Sequence, residues 1–283
     1  MLIDSLLSSS VTCGTGLPAR RRSAIHISKP PAHSAFCCTG WRFHRSGLPL
    51  STPVFRRRRA VVVQEPSGSG VRLPVQEIVR EIVIPAGVAG PDPMVMDVRC
   101  YAVAQPGGIV VIDTGMPDAE SGIAEAVEAL GGSFGDVRDI ILTHLHMDHV
   151  GSLFAIAEQA PMAAIYAGGP DSPDIRAPRR VQGLGEGDYV QDLQIFATPG
   201  HTPGHVSVFH EGSGTLFIGD AAVSAEGGVE RSPEAFTSDA ARAEESLERI
   251  AALEPERMLF AHGAEIASPV QSLARLLGGP YGS

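Results

Sequence analysis

Four metal-ligating side chains fall within six positions of one segment, Thr143-His144-Leu145-His146-Met147-Asp148-His149-Val150-Gly151, and no other feature constrains the chain as tightly. The apolar run Asp139-Ile140-Ile141-Leu142 precedes it and reads as a buried strand. Residues 150–158 follow it with apolar side chains at helical spacing. The cluster therefore lies on a strand-to-helix turn at the carboxyl end of a strand, where α/β proteins place their chemistry. In extended backbone His144 and His146 point to the same side and can chelate one ion. Asp148 and His149 fall where the chain turns toward the helix and can face a second.

Three later segments repeat this placement. His201 stands in Thr198-Pro199-Gly200-His201-Thr202-Pro203-Gly204-His205, after the apolar run 193–197. Asp220 ends Phe217-Ile218-Gly219-Asp220, and His262 follows Arg257-Met258-Leu259-Phe260-Ala261. Taken singly, each reads as a turn or capping residue. Recurring together at strand ends, they form a set. Imidazole and carboxylate donors suit zinc, and also iron or manganese. Seven ligands exceed the needs of one tetrahedral ion and suit two ions that share a bridging group.

The ordered set H-x-H-x-D-H, T-P-G-H-T-P-G-H, F-x-G-D and a late histidine before glycine resembles the metallo-β-lactamase-fold hydrolase superfamily. Ile109-Val110-Val111-Ile112-Asp113-Thr114-Gly115 is similar to that family's strand-D-T-G element. The resemblance covers roughly residues 76 to 275. It implies an α/β fold, an αββα sandwich of two mixed β-sheets flanked by helices, with metals at the strand ends. It assigns His144, His146 and His201 to a first divalent ion and Asp148, His149 and His262 to a second, with Asp220 bridging both. Zinc is the preferred metal. Asp113 matches an aspartate that orients ligands through hydrogen bonds without binding metal. His205 matches a position that is usually not a ligand, and a histidine bonded to the turn backbone is the preferred reading.

The resemblance further implies hydrolysis of a small carbonyl substrate by a hydroxide bridging two ions. Asp148 or Asp220 would carry the proton, and Asp148 is the candidate catalytic residue. The aspartate at 220 resembles the glyoxalase II-like thioesterases and lactonases more than enzymes acting on β-lactams. A mononuclear iron persulfide dioxygenase and a β-lactam hydrolase are the alternatives. Glyoxalase II proper carries a further helical region for glutathione after the last ligand, so glutathione is not the expected carrier here.

Charge divides the chain. Residues 1–70 hold ten Lys/Arg and two Asp/Glu; the remainder holds twelve and thirty. So acidic a domain argues against a nucleic-acid substrate. Residues 1–72, rich in Ser, Pro and Arg and ending in Arg56-Arg57-Arg58-Arg59 and Ser67-Gly68-Ser69-Gly70, read as a disordered leader. A non-functional extension is preferred to an organellar transit peptide, with a nucleic-acid-binding arm as a third reading. Residues 73–283 form the hydrolase domain. Its lone cysteine, Cys100, excludes a disulfide framework and fits the cytoplasm, with organellar import the outcome if the leader is a transit peptide. No apolar stretch is long enough to span a membrane. Oligomeric state is left open.

Within the domain, strands are expected at 77–84, 98–104, 108–113, 163–167, 188–198, 204–210, 214–219 and 257–261. Helices are expected at 118–130, 238–253 and 266–277, besides the one after the metal cluster. Loops at 168–183 and 221–237 are the candidates for substrate contact. Arg176, Arg179 and Arg180 could hold a substrate carboxylate there, although solvated surface charge is the preferred reading. Phe236 would wall an apolar pocket or anchor its loop.

Overall fold

Alternation along the central strands sorts each side chain into one of two layers. On the strand before the metal segment, Ile140 and Leu142 face one buried cluster and Ile141 the opposite one. Its neighbour divides likewise, Val111 to the first and Val110 and Ile112 to the second. Strands apolar on both faces need cover on both faces, which calls for a layered α/β arrangement.

A computed structural model describes residues 73–87 and 91–278. The leader at 1–72 lies outside the described residues. Thirteen strands are described: β1 (Val75–Ile84), β2 (Met94–Gln105), β3 (Gly108–Ile112), β4 (Val137–Leu142), β5 (Ala164–Gly168), β6 (Val181–Leu184), β7 (Tyr189–Val190), β8 (Leu193–Ala197), β9 (Val206–His210), β10 (Thr215–Gly219), β11 (Ala222–Ala225), β12 (Gly228–Arg231) and β13 (Arg257–Phe260). Five helices accompany them: α1 (Glu120–Ala129), α2 (Met147–Val150), α3 (Leu153–Gln159), α4 (Ala240–Ala251) and α5 (Pro269–Leu276).

β1 to β6 form one mixed sheet in sequential order, and β13-β10-β9-β8-β7 form a second. Tyr101, Val110 and Ile141 from the first sheet meet Ile195, Val208 and Phe217 from the second in a shared core. α1 and α3 cover the outer face of the first sheet through Ile123, Val127, Leu153 and Ile156. α4 and α5 cover the second through Leu247, Ile250 and Leu273, packed on Leu216, Ile218, Met258 and Phe260. This is the αββα sandwich of two mixed sheets that the family resemblance implies. None of the described helices is long and apolar enough to cross a membrane.

Local departures have local causes. The strand expected at 188–198 breaks into β7 and β8 because Gln191 takes φ 54 and reverses the chain. β6 overlaps the end of the expected loop 168–183 and pairs parallel with β5. The expected loop 221–237 contains the hairpin β11–β12. The helix after the metal segment is two short helices, interrupted at residues 151–152. Gly151 sits so close to Pro117 that a Cβ would lie 2.5 Å from the proline ring.

Candidate metal centre

The metal segment leaves β4 at Leu142, and its conformation is held from below by Asp113. Asp113 ends β3 in the left-handed region (φ 59), a conformation that asparagine and aspartate tolerate better than most residues. Its Oδ1 accepts the Thr143 backbone N–H at 2.8 Å, and its Oδ2 accepts the Thr143 hydroxyl at 2.8 Å. The same Oδ2 lies 2.8 Å from His149 Nδ1. An ionised carboxylate only accepts, so Nδ1 carries a proton and Nε2 is left as the nitrogen that a metal ion would take. Asp113 thus occupies the ligand-orienting place assigned to it from sequence.

Two groups of donors result. Nitrogens of His144, His146 and His201 form one; Asp148, His149, Asp220 and His262 form the other, with the donor atoms of each group within 4.8 Å of one another. In the first, His146 Nδ1 lies 3.0 Å from both His144 Nε2 and His201 Nε2. In the second, Asp148 Oδ2 lies 3.6 Å from His149 Nε2 and 3.3 Å from His262 Nε2. Asp220 stands between them, its Oδ2 3.3 Å from His201 Nε2 and 3.3 Å from His262 Nε2. All seven residues singled out in the sequence are therefore brought together.

This donor set fits divalent metal ions. Tetrahedral bonds of about 2.0–2.1 Å put neighbouring ligands about 3.3–3.4 Å apart, close to these separations. His149 Nε2 and Asp220 Oδ1 are buried with no hydrogen-bond partner and face each other at 3.4 Å. Buried polar atoms left unpaired are costly, and a cation between them removes the cost.

A family model for the metallo-beta-lactamase superfamily matches residues 94–262, a stretch that runs from β2 to the last histidine of the site. The chain belongs to the metallo-beta-lactamase superfamily. A probable metallo-hydrolase, YflN, of Bacillus subtilis (strain 168) is 32% identical over 204 residues, covering 56% of this chain and 77% of the relative. A hydroxyacylglutathione hydrolase of Aeromonas salmonicida (strain A449) is 36% identical over 125 residues, 43% of this chain and 45% of that enzyme. The chain thus spans under half the length of the latter. Among solved structures, TTHA1623 in a di-iron-bound form is 27% identical with a TM-score of 0.51, covering 65% of this chain and 94% of its own. As a metallo-beta-lactamase-superfamily protein with metallo-hydrolase relatives, the chain is a hydrolase enzyme.

Electrostatics distinguishes the two ends of this superfamily site. Burial, reinforced by His149 and His201, holds His144 well below the usual histidine range, so its lone pair is free. Burial likewise takes His201 down to about 4, against the pull of Asp220. At the other end burial also opposes charge on His262, but Asp220 and Asp148 outweigh it and raise the imidazole to about 10. Burial works against ionised Asp148 too, yet His149 and His262 prevail and lower it to about 2. Without metal, protons on His149 and His262 supply the positive charge that the two carboxylates require.

Residues outside the ligand set hold it in place. His205 is buried, and its Nε2 accepts the Asp220 backbone N–H at 2.9 Å. Its Nδ1 then carries the proton and donates to Thr198 Oγ1 at 2.8 Å. His205 thus keeps the expected bond to its own turn, through Thr198, and in addition fixes the amide of Asp220 from a neighbouring segment. Gly219, at φ 59, makes room, since a Cβ there would lie 2.6 Å from His205 Nε2. His262 Nδ1 donates to the Asp97 backbone carbonyl at 2.7 Å, which aims Nε2 inward.

Asp171 has no counterpart in the sequence reading. It is buried, with Oδ1 accepting the Gly204 N–H at 2.7 Å and Oδ2 accepting the Thr202 hydroxyl at 2.6 Å and the Leu145 N–H at 3.2 Å. The signal available was Gly168 and Gly169 just before it: a Cβ at 168 would overlap the Gly204 carbonyl oxygen, marking close approach of two loops. Arg179 departs from both readings offered for it. Its guanidinium donates to the carbonyls of Ala157 at 2.9 Å, Ala160 at 2.8 Å and Ala163 at 2.9 Å, closing the end of α3. Arg176 and Arg180 are exposed, and Phe236 is half-buried in a short turn. Cys100 is buried, and that burial, with Asp113 nearby, pushes its thiol far above the range of reactive cysteines.

Proposed function

We propose that the chain is a dinuclear metal-dependent hydrolase that opens a small thioester or lactone. The observation that carries this reading is the Asp220 carboxylate, 3.3 Å from a nitrogen of each donor group. His144, His146 and His201 would hold one ion, Asp148, His149 and His262 the other, and Asp220 both. Zinc suits the donors best, and iron or manganese would be accepted. Two such ions lower the pKa of water toward neutrality and polarise a substrate carbonyl.

The chain's own residues divide the remaining work. The side chain of Asp148 is 23% exposed against 7% for Asp220, so Asp148 is the carboxylate that reaches reacting water. We assign it the proton: it accepts one as water attacks the carbonyl and returns it to the departing sulfur or oxygen. Asp113 keeps His149 in the tautomer with Nε2 free, and His205 keeps Asp220 in register. A relative named hydroxyacylglutathione hydrolase supports the thioester half of the reading, since an acyl group on the glutathione sulfur is a thioester. The substrate is a small molecule; no nucleic acid or membrane is involved.

One metal-loaded preparation offered thioesters, acyl-homoserine lactones and nitrocefin tests the reading. Turnover of a thioester or lactone, with nitrocefin untouched, is expected. Nitrocefin as the sole substrate, or oxygen uptake with a persulfide and no hydrolysis, would overturn it.

A further inference from the structure

The three-histidine group is assembled from two segments far apart in sequence, and Asp171 links them through its side chain, beside the Val206 N–H that the Thr143 carbonyl accepts at 2.9 Å. Leu145, whose N–H Asp171 accepts at 3.2 Å, lies between His144 and His146. Thr202, whose hydroxyl it accepts at 2.6 Å, follows His201 directly, and Gly204 at 2.7 Å closes the same turn. Gly204 has no room for a side chain, since a Cβ would lie 2.6 Å from the Asp171 carboxyl carbon. The two segments therefore meet on one carboxylate.

Its environment is unusual for a buried acid. Asp171 is 1% exposed, yet its three donors are neutral, and among the described residues no arginine pairs with it. Buried carboxylates are normally paired with a cation or a metal site. The charged partner that this position lacks is the one the three histidines would bring beside it. Carboxylates that bond a ligand's ring deepen the affinity for the ion typically by 10–100-fold; Asp171 holds the backbone of the ligand segments instead, next to His146 and His201 in the chain.

We propose that Asp171 is a positioning residue for the three-histidine ion, acting both by joining the His146 and His201 segments and by supplying the negative charge that balances that ion. This rests on the dinuclear reading above. It makes the loop 168–183 a structural part of one metal subsite, where the sequence suggested substrate contact.

Zinc titration of the full chain against a chromophoric chelator tests it, with Asp171→Asn and Thr202→Val beside the parent. The parent is expected to show two dissociation constants. In Asp171→Asn one of them rises about 10–100-fold and the other stays within about threefold. Anomalous scattering from zinc should then show the weakened occupancy at His144, His146 and His201. Thr202→Val removes one hydrogen bond and keeps the charge, so both constants should stay within about threefold of the parent. Melting temperature with and without zinc adds an independent readout: the zinc-induced rise shrinks in Asp171→Asn. A purely structural role would lower both melting temperatures equally and leave that rise intact, which overturns the inference. So would an Asp171→Asn protein that cannot fold without metal, or one that weakens both sites alike. A parent that binds no zinc would instead overturn the dinuclear reading itself.

Discussion

Asp148 and Asp220 show how two carboxylates in one site acquire different duties. Both belong to the donor group of His149 and His262, but Asp220 is enclosed and held by its amide on His205, whereas Asp148 faces outward. Asp148→Asn should therefore lower kcat by about 10²–10⁴-fold in steady-state assays of the metal-loaded enzyme, the usual contribution of a positioned acid–base group. His262 gives a prediction about the metal-free chain. Its imidazole is raised from 6.5 to about 10, so the stabilisation from Asp148 and Asp220 is complete below about pH 6.5 and is lost as pH rises through about 10. Thermal melts of metal-free protein should fall between pH 6.5 and 10. The decline should be absent with metal bound, because those imidazoles are then already deprotonated. At this scale the ligands themselves were legible, because H-x-H-x-D-H sets them in one short segment whose spacing can be read directly. Asp171 was not, because its partners at 145, 202 and 204 meet it only through tertiary contact.

Among elements, the strand ends carry the site and the loops between them set its precision. β3, β4 and β10 deliver Asp113, the His144–His149 segment and Asp220 at their carboxyl ends, and β13 delivers His262. Those strands could be read from apolar runs because both of their faces are buried. β6 could not: residues 181–184 carry no apolar alternation, and pairing with β5 at the sheet edge makes them a strand. The β11–β12 hairpin was hidden for the same reason, its pairing being sustained by turn chemistry at Gly227, φ 79. Arg179 tests whether the loop beyond β5 is structural. Arg179→Ala should cost about 1–3 kcal/mol in denaturant unfolding, the loss of charged hydrogen bonds to α3, with KM unchanged. A raised KM at unchanged stability would return that arginine to the substrate. Gly219→Ala should cost a similar amount for a different reason, since it combines φ 59 with a Cβ pressed on His205; a loss of about 1–3 kcal/mol and reduced metal content are expected from melts and elemental analysis.

For the whole molecule, the αββα arrangement explains why so polar a centre coexists with a stable domain. Three separate apolar clusters flank it, two beneath the outer helices and one between the sheets, and the seven buried or half-buried histidines and aspartates of the site gather at one rim of the sandwich. The layered fold was legible through the family resemblance carried by the ordered ligand motifs, and β3 alternates between two buried clusters as a strand covered on both faces must. The chemistry was legible because seven ligands recur in order. The substrate was not, since the residues at 168–183 and 221–237 proved to be partly strand and partly support for the metal ligands. The central claim is that this rim holds two ions. Elemental analysis of the full chain expressed in metal-replete medium, freed of loosely bound ions, measures it directly. Two zinc, iron or manganese ions per chain are predicted, and a chain that retains none, or only one, would contradict the account.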